Sequence, residues 1–363
     1  MKNGKLLCRI PVSWLFLRLR DDTKSELLKE SMAQRKAYVS DLITYYHLAS
    51  VISYCIYNKI NDLEVFAITS MNGDRLLKEG FYVLGGIRIR ISYCAGKKTS
   101  IINVVFAVIS RIRFRVSKVH SDAWIGHHSY FKPNWIANEY GSKANTFSFE
   151  EGIGTFGNLS YHRNVARRED SRFPVLKFIT KKMLSTKFFV DSFWFPMAED
   201  DEVKIRVLKQ AFELIGREFF KSLACELESF SNKPIVVILG APLVRLGLIE
   251  AEEYKKILMD LVSRINLLGC FPVYKAHHLE TAIDIHPSGI VLRTSAPAEV
   301  LISMLSTKWV VGFSSSALIS TSKIFNVDAY NAANLLPAPA RNAIGLDGSL
   351  KSIFDSCVSD FEL

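Results

Sequence analysis

None of the six cysteines (Cys8, Cys55, Cys94, Cys225, Cys270, Cys357) stands in a Cys-x-x-Cys pair. That scatter argues against a zinc site and against a disulfide framework, and it suits a reducing compartment. The chain has no Pro/Gly/Ser-rich or low-complexity stretch and no internal repeat, so neither long disorder nor a solenoid is expected. It also lacks an apolar run long enough for a bilayer. The longest, Leu42 to Tyr57, contains His47 and falls short of the roughly 20 residues a span needs, so it reads as a buried helix. The opening MKNGKLLCRIPVSWLFLRLRDD has a basic residue and an apolar run, but Arg9, Arg18 and Arg20 interrupt it. No small-residue cleavage site follows, so a signal peptide is not expected and a cytoplasmic protein is.

What is present is enough for a substantial core. The 363 residues are 49% hydrophobic and 12% aromatic, and a chain of this length is expected to divide into two domains. The net charge of +10 is unevenly placed: residues 1–230 hold 35 basic against 24 acidic residues, and residues 231–363 hold 11 against 12. Arg111 to Arg115 and the stretch from Arg163 to Lys187 are dense basic sources. Such a field attracts anionic lipid, a charged glycan or nucleic acid, or is simply a solvated surface. No nucleic-acid-binding signature accompanies it, so nucleic acid is not an expected partner.

Beyond the first 35 residues, strands and helices alternate. KAYVSD, LEVFAITS, Tyr82–Leu84, Ile101–Val108 and NTFSF read as strands, and LITYYHLASVISYCIYNKI as a helix. Glu202 to Phe230 carries apolar residues at helical spacing, in one helix or a pair. IVVILG then opens a second unit as a wholly apolar parallel strand, followed by a helix from Glu250 to Leu268, strands FPVYKA, GIVLRT and KWVVGF, and helices at Pro297–Ser306 and SSSALISTSKIF. The expectation is α/β, with two doubly wound Rossmann-like domains facing across a cleft. The divisions fall at 1–205, 206–231 (a helical connector), 232–345 and 346–363 (a C-terminal helix).

Four places could carry chemistry. FEEGIGTF sets Glu150 and Glu151 after a strand and before Gly152 and Gly154. A partly desolvated carboxylate beside a like charge can act as a general base, though a turn with solvated acids has the same sequence. YKAHHLE places Lys275, His277 and His278 after a strand. There a lysine neutralises and a histidine protonates a departing phosphate, unless both histidines only decorate a loop. VVGFSSSAL puts Ser314, Ser315 and Ser316 at a helix start, as a phosphate cradle or a simple N-cap. Glu299 stands in a helix first turn, where it holds a ribose diol or complements the helix dipole.

The order of these elements resembles the bacterial sialyltransferases, with their acidic-acidic-Gly, His-Pro and Ser-Ser motifs. The chain is most similar to the lipooligosaccharide sialyltransferase and capsular polysialyltransferase group, over Pro234 to Phe325 and Asn145 to Phe156, and GAPLVRLGLIEAEEY resembles that group's nucleotide-side loop. The resemblance implies a GT-B architecture, no metal or other cofactor, and CMP-sialic acid as donor. It implies Glu151 as general base with Glu150 beside it, and His277 as the acid or electrostatic stabiliser. Ser314 and Ser315, with Ser316 as an extra candidate, would hold the phosphate and Glu299 the cytidine ribose. Gly240, Lys275 and His278 complete the expected donor side. His278 stands where the family has Pro, which would fix the backbone after His277. A literal His286-Pro287 lacks the preceding strand and Lys-x context.

The implied reaction is one inverting displacement onto a hydroxyl of a lipopolysaccharide, lipooligosaccharide or capsule glycan ending in galactose, GalNAc or sialic acid. Polysialyl transfer and a CMP-Kdo donor are alternatives, as is a non-catalytic basic protein that binds membrane or nucleic acid. The basic skew and the Trp14–Arg20 segment lead to an expected anionic membrane partner on the inner face of the plasma membrane. Asp200 and Asp201 precede a helix rather than follow an apolar strand, and read as helix-start acids, not a metal pair.

Overall fold

The computed structural model describes residues 35–67, 75–93, 123–127, 146–149, 193–194, 196–228, 234–277, 280, 290–346 and 348–362. Trp14–Arg20, Ile101–Val108, Arg111–Arg115, Arg163–Lys187 and His286-Pro287 lie outside the described residues.

The first sheet holds β1 (Lys36–Leu42), β2 (Asp62–Ala67), β3 (Gly80–Leu84), β4 (Ile87–Tyr93), β5 (Ala123–His127), β6 (Thr146–Phe149) and β7 (Phe193–Trp194), in the order β3-β4-β2-β1-β5-β6-β7. Every neighbouring pair is parallel except β3 with β4. That antiparallel hairpin turns on Gly85 and Gly86, both at positive φ (56° and 82°), as a two-residue turn following the strand twist requires. With β3 set aside, the order is third, second, first, fourth, fifth, sixth. This is the doubly wound Rossmann order.

The second sheet repeats it. β8 (Ile235–Leu239), β9 (Phe271–Lys275), β10 (Ile290–Leu292), β11 (Thr307–Gly312), β12 (Asp328–Asn331) and β13 (Ser359–Asp360) lie in the order β10-β9-β8-β11-β12-β13, all parallel. β8 is buried at every residue, as a wholly apolar central strand covered on both faces must be. The two sheets make the molecule α/β with twin Rossmann-type halves, the GT-B kind.

Among the described residues the α-helices are α1 (Tyr45–Tyr57), α2 (Pro196–Glu199), α3 (Glu202–Phe219), α4 (Lys221–Glu228), α5 (Ala251–Leu267), α6 (Ala298–Met304), α7 (Ser316–Phe325), α8 (Ala338–Ile344) and α9 (Gly348–Asp355). The apolar stretch from Glu202 is a helix pair, broken at Phe220. α3 packs against α1, α6 and α7, and its Phe212 ring meets Tyr46 of α1 at 5.5 Å and Phe325 of α7 at 6.2 Å. One apolar cluster therefore runs from the first sheet through α3 into the second. Asp201 caps α3, its carboxylate accepting the amide hydrogens of Val203 and Lys204 at 3.0 and 3.1 Å, and Asp200 pairs with Lys323 at 2.5 Å. Asp201 thus serves the helix start, as its place before it suggested, whereas Asp200 pairs instead with a lysine of α7.

The C-terminal segment differs from the single helix expected over 346–363. α9 ends at Asp355, and the chain then enters β13, held by buried Val358 and Phe361 and by the Phe361 amide donating to the Asn331 carbonyl at 2.9 Å. A two-residue strand carries too little periodicity to be seen in sequence.

Candidate functional site at the carboxyl edge of the second sheet

In a doubly wound sheet the ligand crevice lies beyond the carboxyl ends of the strands, where the order reverses. Here that point is between β8 and β11, and Gly240 and the three serines follow those two strands directly. Lys275 ends β9, adjacent to β8, and Glu299 begins the helix after β10. The topology thus gathers Gly240, Lys275, His277, Glu299 and Ser314–Ser316 at one edge.

At the β11 exit, Ser314 takes a left-handed conformation (φ 49°), and its amide donates to Asn331 Oδ1 at 3.0 Å. Ser315 is the N-cap of α7, its hydroxyl accepting the Ala317 amide hydrogen at 3.3 Å. Ser316 is the first helical residue. A helix start leaves first-turn amides without intrahelical partners and with the positive end of the dipole, suited to a phosphate.

At the β9 exit, the Lys275 ammonium donates to the carbonyls of Ala276 and Thr294 at 2.9 and 3.4 Å. Burial lowers its pKa, with the charges of Glu299 and Glu280 acting the other way. Glu299 is 5% exposed and accepts a hydrogen bond from Ser320 of α7. Burial raises its pKa, opposed by that hydroxyl and by Lys275. Glu299 and Ser320 thus tie the start of α6 to the helix that carries the serines.

Gly240 donates its amide hydrogen to the Lys275 carbonyl at 2.9 Å. A Cβ there would collide with the Glu280 carboxylate and the Tyr274 hydroxyl, so a larger residue must displace the ends of both side chains. Those two groups share a hydrogen bond, Tyr274 donating to Glu280 Oε1 at 2.6 Å. Tyr254 of α5 accepts the Ala241 amide hydrogen at 3.1 Å. Burial raises the pKa values of Tyr274, Tyr254 and Glu280. The His277 amide donates to Glu280 Oε2 at 2.6 Å.

Glu150, Glu151 and His278 lie outside the described residues. The strand preceding the acidic pair, β6, ends at the fully buried Phe149, whose ring lies 5.3 Å from the buried His47 of α1. Sequence reading missed Glu280, Asn331, Ser320 and Tyr254. Of these, Glu280 stood inside YKAHHLE, three residues after His277, and Tyr254 ends the stretch GAPLVRLGLIEAEEY.

Two Rossmann-ordered sheets, the second with a capped serine helix start and the buried Glu299 near its switch point, define an α/β protein of the GT-B kind. Residues 127–332, more than half of the chain, match the model of the alpha-2,8-polysialyltransferase family (POLYST). The chain belongs to that family and is a glycosyltransferase of the sialyltransferase type. No curated protein matches it. Among solved structures it is similar to the UDP-GlcNAc 2-epimerase of Methanocaldococcus jannaschii (11% identity, TM-score 0.47, 89% of this chain and 91% of that one). It is similar also to the UDP-GlcNAc 2-epimerase of Neisseria meningitidis bound to UDP-GlcNAc (14%, 0.45, 88% and 90%). A third is the glycosyl transferase family 9 protein of Veillonella parvula (10%, 0.40, 82% and 81%). At these levels of similarity none of the three bears on this chain's substrate. Among the described residues no helix is long and apolar enough to cross a membrane.

Proposed function

We propose that the protein transfers sialic acid from CMP-sialic acid to the terminal sialic acid of a surface glycan, by one inverting displacement and without an obligatory metal. The observation that carries the donor side is the β8–β11 switch point, where Ser314 and Ser315 are held at the start of α7. CMP-sialic acid is a singly charged phosphodiester, and the group that leaves it is CMP, a phosphate monoester. Hydroxyls, first-turn amides and one histidine suffice for that charge, whereas a nucleoside diphosphate asks for more. The family match supports sialic acid over Kdo and a sialylated acceptor over a neutral one.

In this reading the bond between the anomeric carbon and the CMP oxygen breaks as the acceptor hydroxyl attacks from the opposite face. Glu151, following β6, takes the hydroxyl proton, with Glu150 beside it holding that charge environment. His277 and the serine start of α7 stabilise the departing CMP. Glu299, buried at the start of α6, orients the ribose, and Lys275 balances its charge.

Donor binding and chemistry separate experimentally. Glu151→Gln is expected to lower turnover by about 10²- to 10⁴-fold while CMP still protects the fold against heat. Ser315→Ala is expected to weaken that protection. Equal CMP and UMP protection, unaffected by Ser315→Ala, would contradict the donor assignment.

A further inference from the structure

The residue after His277 is a second histidine, so the backbone there lacks the constraint a proline would supply. The structure contains another constraint. The His277 amide donates to Glu280 Oε2 at 2.6 Å, and the Glu280 amide donates back to the His277 carbonyl at 2.8 Å. Both backbone polar groups of the histidine are thereby tied to one residue, three positions on.

The carboxylate is itself anchored. Its other oxygen accepts from Tyr274 of β9 at 2.6 Å, and the group fills the space that Gly240 leaves open at the β8 exit. Tyr254 accepts the amide hydrogen of Ala241, the residue after Gly240. The exits of β8 and β9 therefore meet on this side chain. A carboxylate accepting one backbone and one phenolic hydrogen leaves little freedom to the loop it closes.

We infer that Glu280 is the positioning residue that aims His277, doing with two hydrogen bonds what a proline ring after the histidine would do covalently. The inference rests on the reading of His277 as the group that stabilises the departing CMP. Glu280 itself need touch neither substrate nor reacting atoms. Displacing a catalytic group by about 1 Å costs on the order of 10²-fold in rate, so the effect belongs in kcat. Glutamine preserves most of the geometry: its carbonyl can accept from the His277 amide, while its amide donates to the Tyr274 oxygen.

The test is a double-mutant cycle in the full-length protein, read as CMP release from CMP-sialic acid with a sialylated acceptor. Glu280→Ala is expected to lower kcat by about 10- to 100-fold with donor KM much less changed and CMP protection retained, and Glu280→Gln to restore most of the loss. In a His277→Ala background, Glu280→Ala is expected to add little. Equal losses in both backgrounds overturn the positioning role alone, as does a glutamine variant as slow as the alanine one. Wild-type turnover in His277→Ala overturns the reading of the histidine and this inference with it. Should Glu280→Ala not fold, Glu280→Asp, one methylene shorter, takes its place with the same expected loss.

Discussion

Asn331 Oδ1 accepts the amide hydrogen of Ser314 at 3.0 Å and that of Ala333 at 3.2 Å. A side chain at the end of β12 thus shapes the loop leaving β11, across the parallel pair that sets Gly312 opposite Asn331. Asn331→Ala leaves two amides without that acceptor, a loss of about 1–3 kcal/mol where they are shielded from water. The expected result is a lower urea midpoint at unchanged m-value, together with weaker CMP binding by calorimetry. A stability loss with CMP affinity intact would separate the serine loop from the nucleotide.

Ser314 holds a left-handed backbone without being glycine. Ser314→Gly relieves a strain of about 1 kcal/mol, which the greater freedom of glycine in the unfolded chain largely offsets. Stability should therefore move by less than about 0.5 kcal/mol, while CMP affinity falls with the lost hydroxyl. Unchanged affinity would show that the hydroxyl does not hold the nucleotide.

A methyl group on Gly240 would have to displace the ends of the Glu280 and Tyr274 side chains. Gly240→Ala should lower stability by about 1–3 kcal/mol and slow turnover, because the atoms it displaces hold the His277 loop. Thermal denaturation beside steady-state kinetics reads both. Adding Glu280→Ala removes one of the two clashes and should recover stability but not rate.

Glu299 and Glu280 are carboxyls that burial pushes above the ordinary value of 4.5. The folded state then holds these protons more tightly than the unfolded chain. That contribution is fully present below 4.5 and is lost as pH rises through the folded values. Stability from this source therefore falls from about pH 4 upward. Glu299→Gln, which keeps an acceptor for Ser320, should flatten the dependence when urea midpoints are compared from about pH 4 to 7. An unchanged slope would mean that Glu299 does not carry the effect.

Much of the frame was legible because parallel strands buried on both faces read as short apolar runs, and IVVILG, FPVYKA and KWVVGF stand out on that ground alone. β4 escaped a reading that looked for wholly apolar runs, although its isoleucines alternating with Arg88 and Arg90 are a half-buried strand signal and the Gly85-Gly86 pair before it is a hairpin signal. β12 is polar at both ends and becomes a strand only by pairing with β11. In the site, positions that directly follow a strand were found from topology. Glu280 and Asn331 were not, because local sequence shows each as an ordinary polar loop or strand-end residue. Burial beside Tyr274 gives the first its role, and a strand pairing distant in sequence gives the second.

The central claim is sialyl transfer from CMP-sialic acid, and its most direct measurement is CMP release in EDTA with oligosialic acid, galactosyl and GalNAc-terminated acceptors side by side. Release that depends on the oligosialic acceptor and survives EDTA is the expected result. Release from a CMP-Kdo donor instead, or turnover only when a divalent cation is restored, would contradict it.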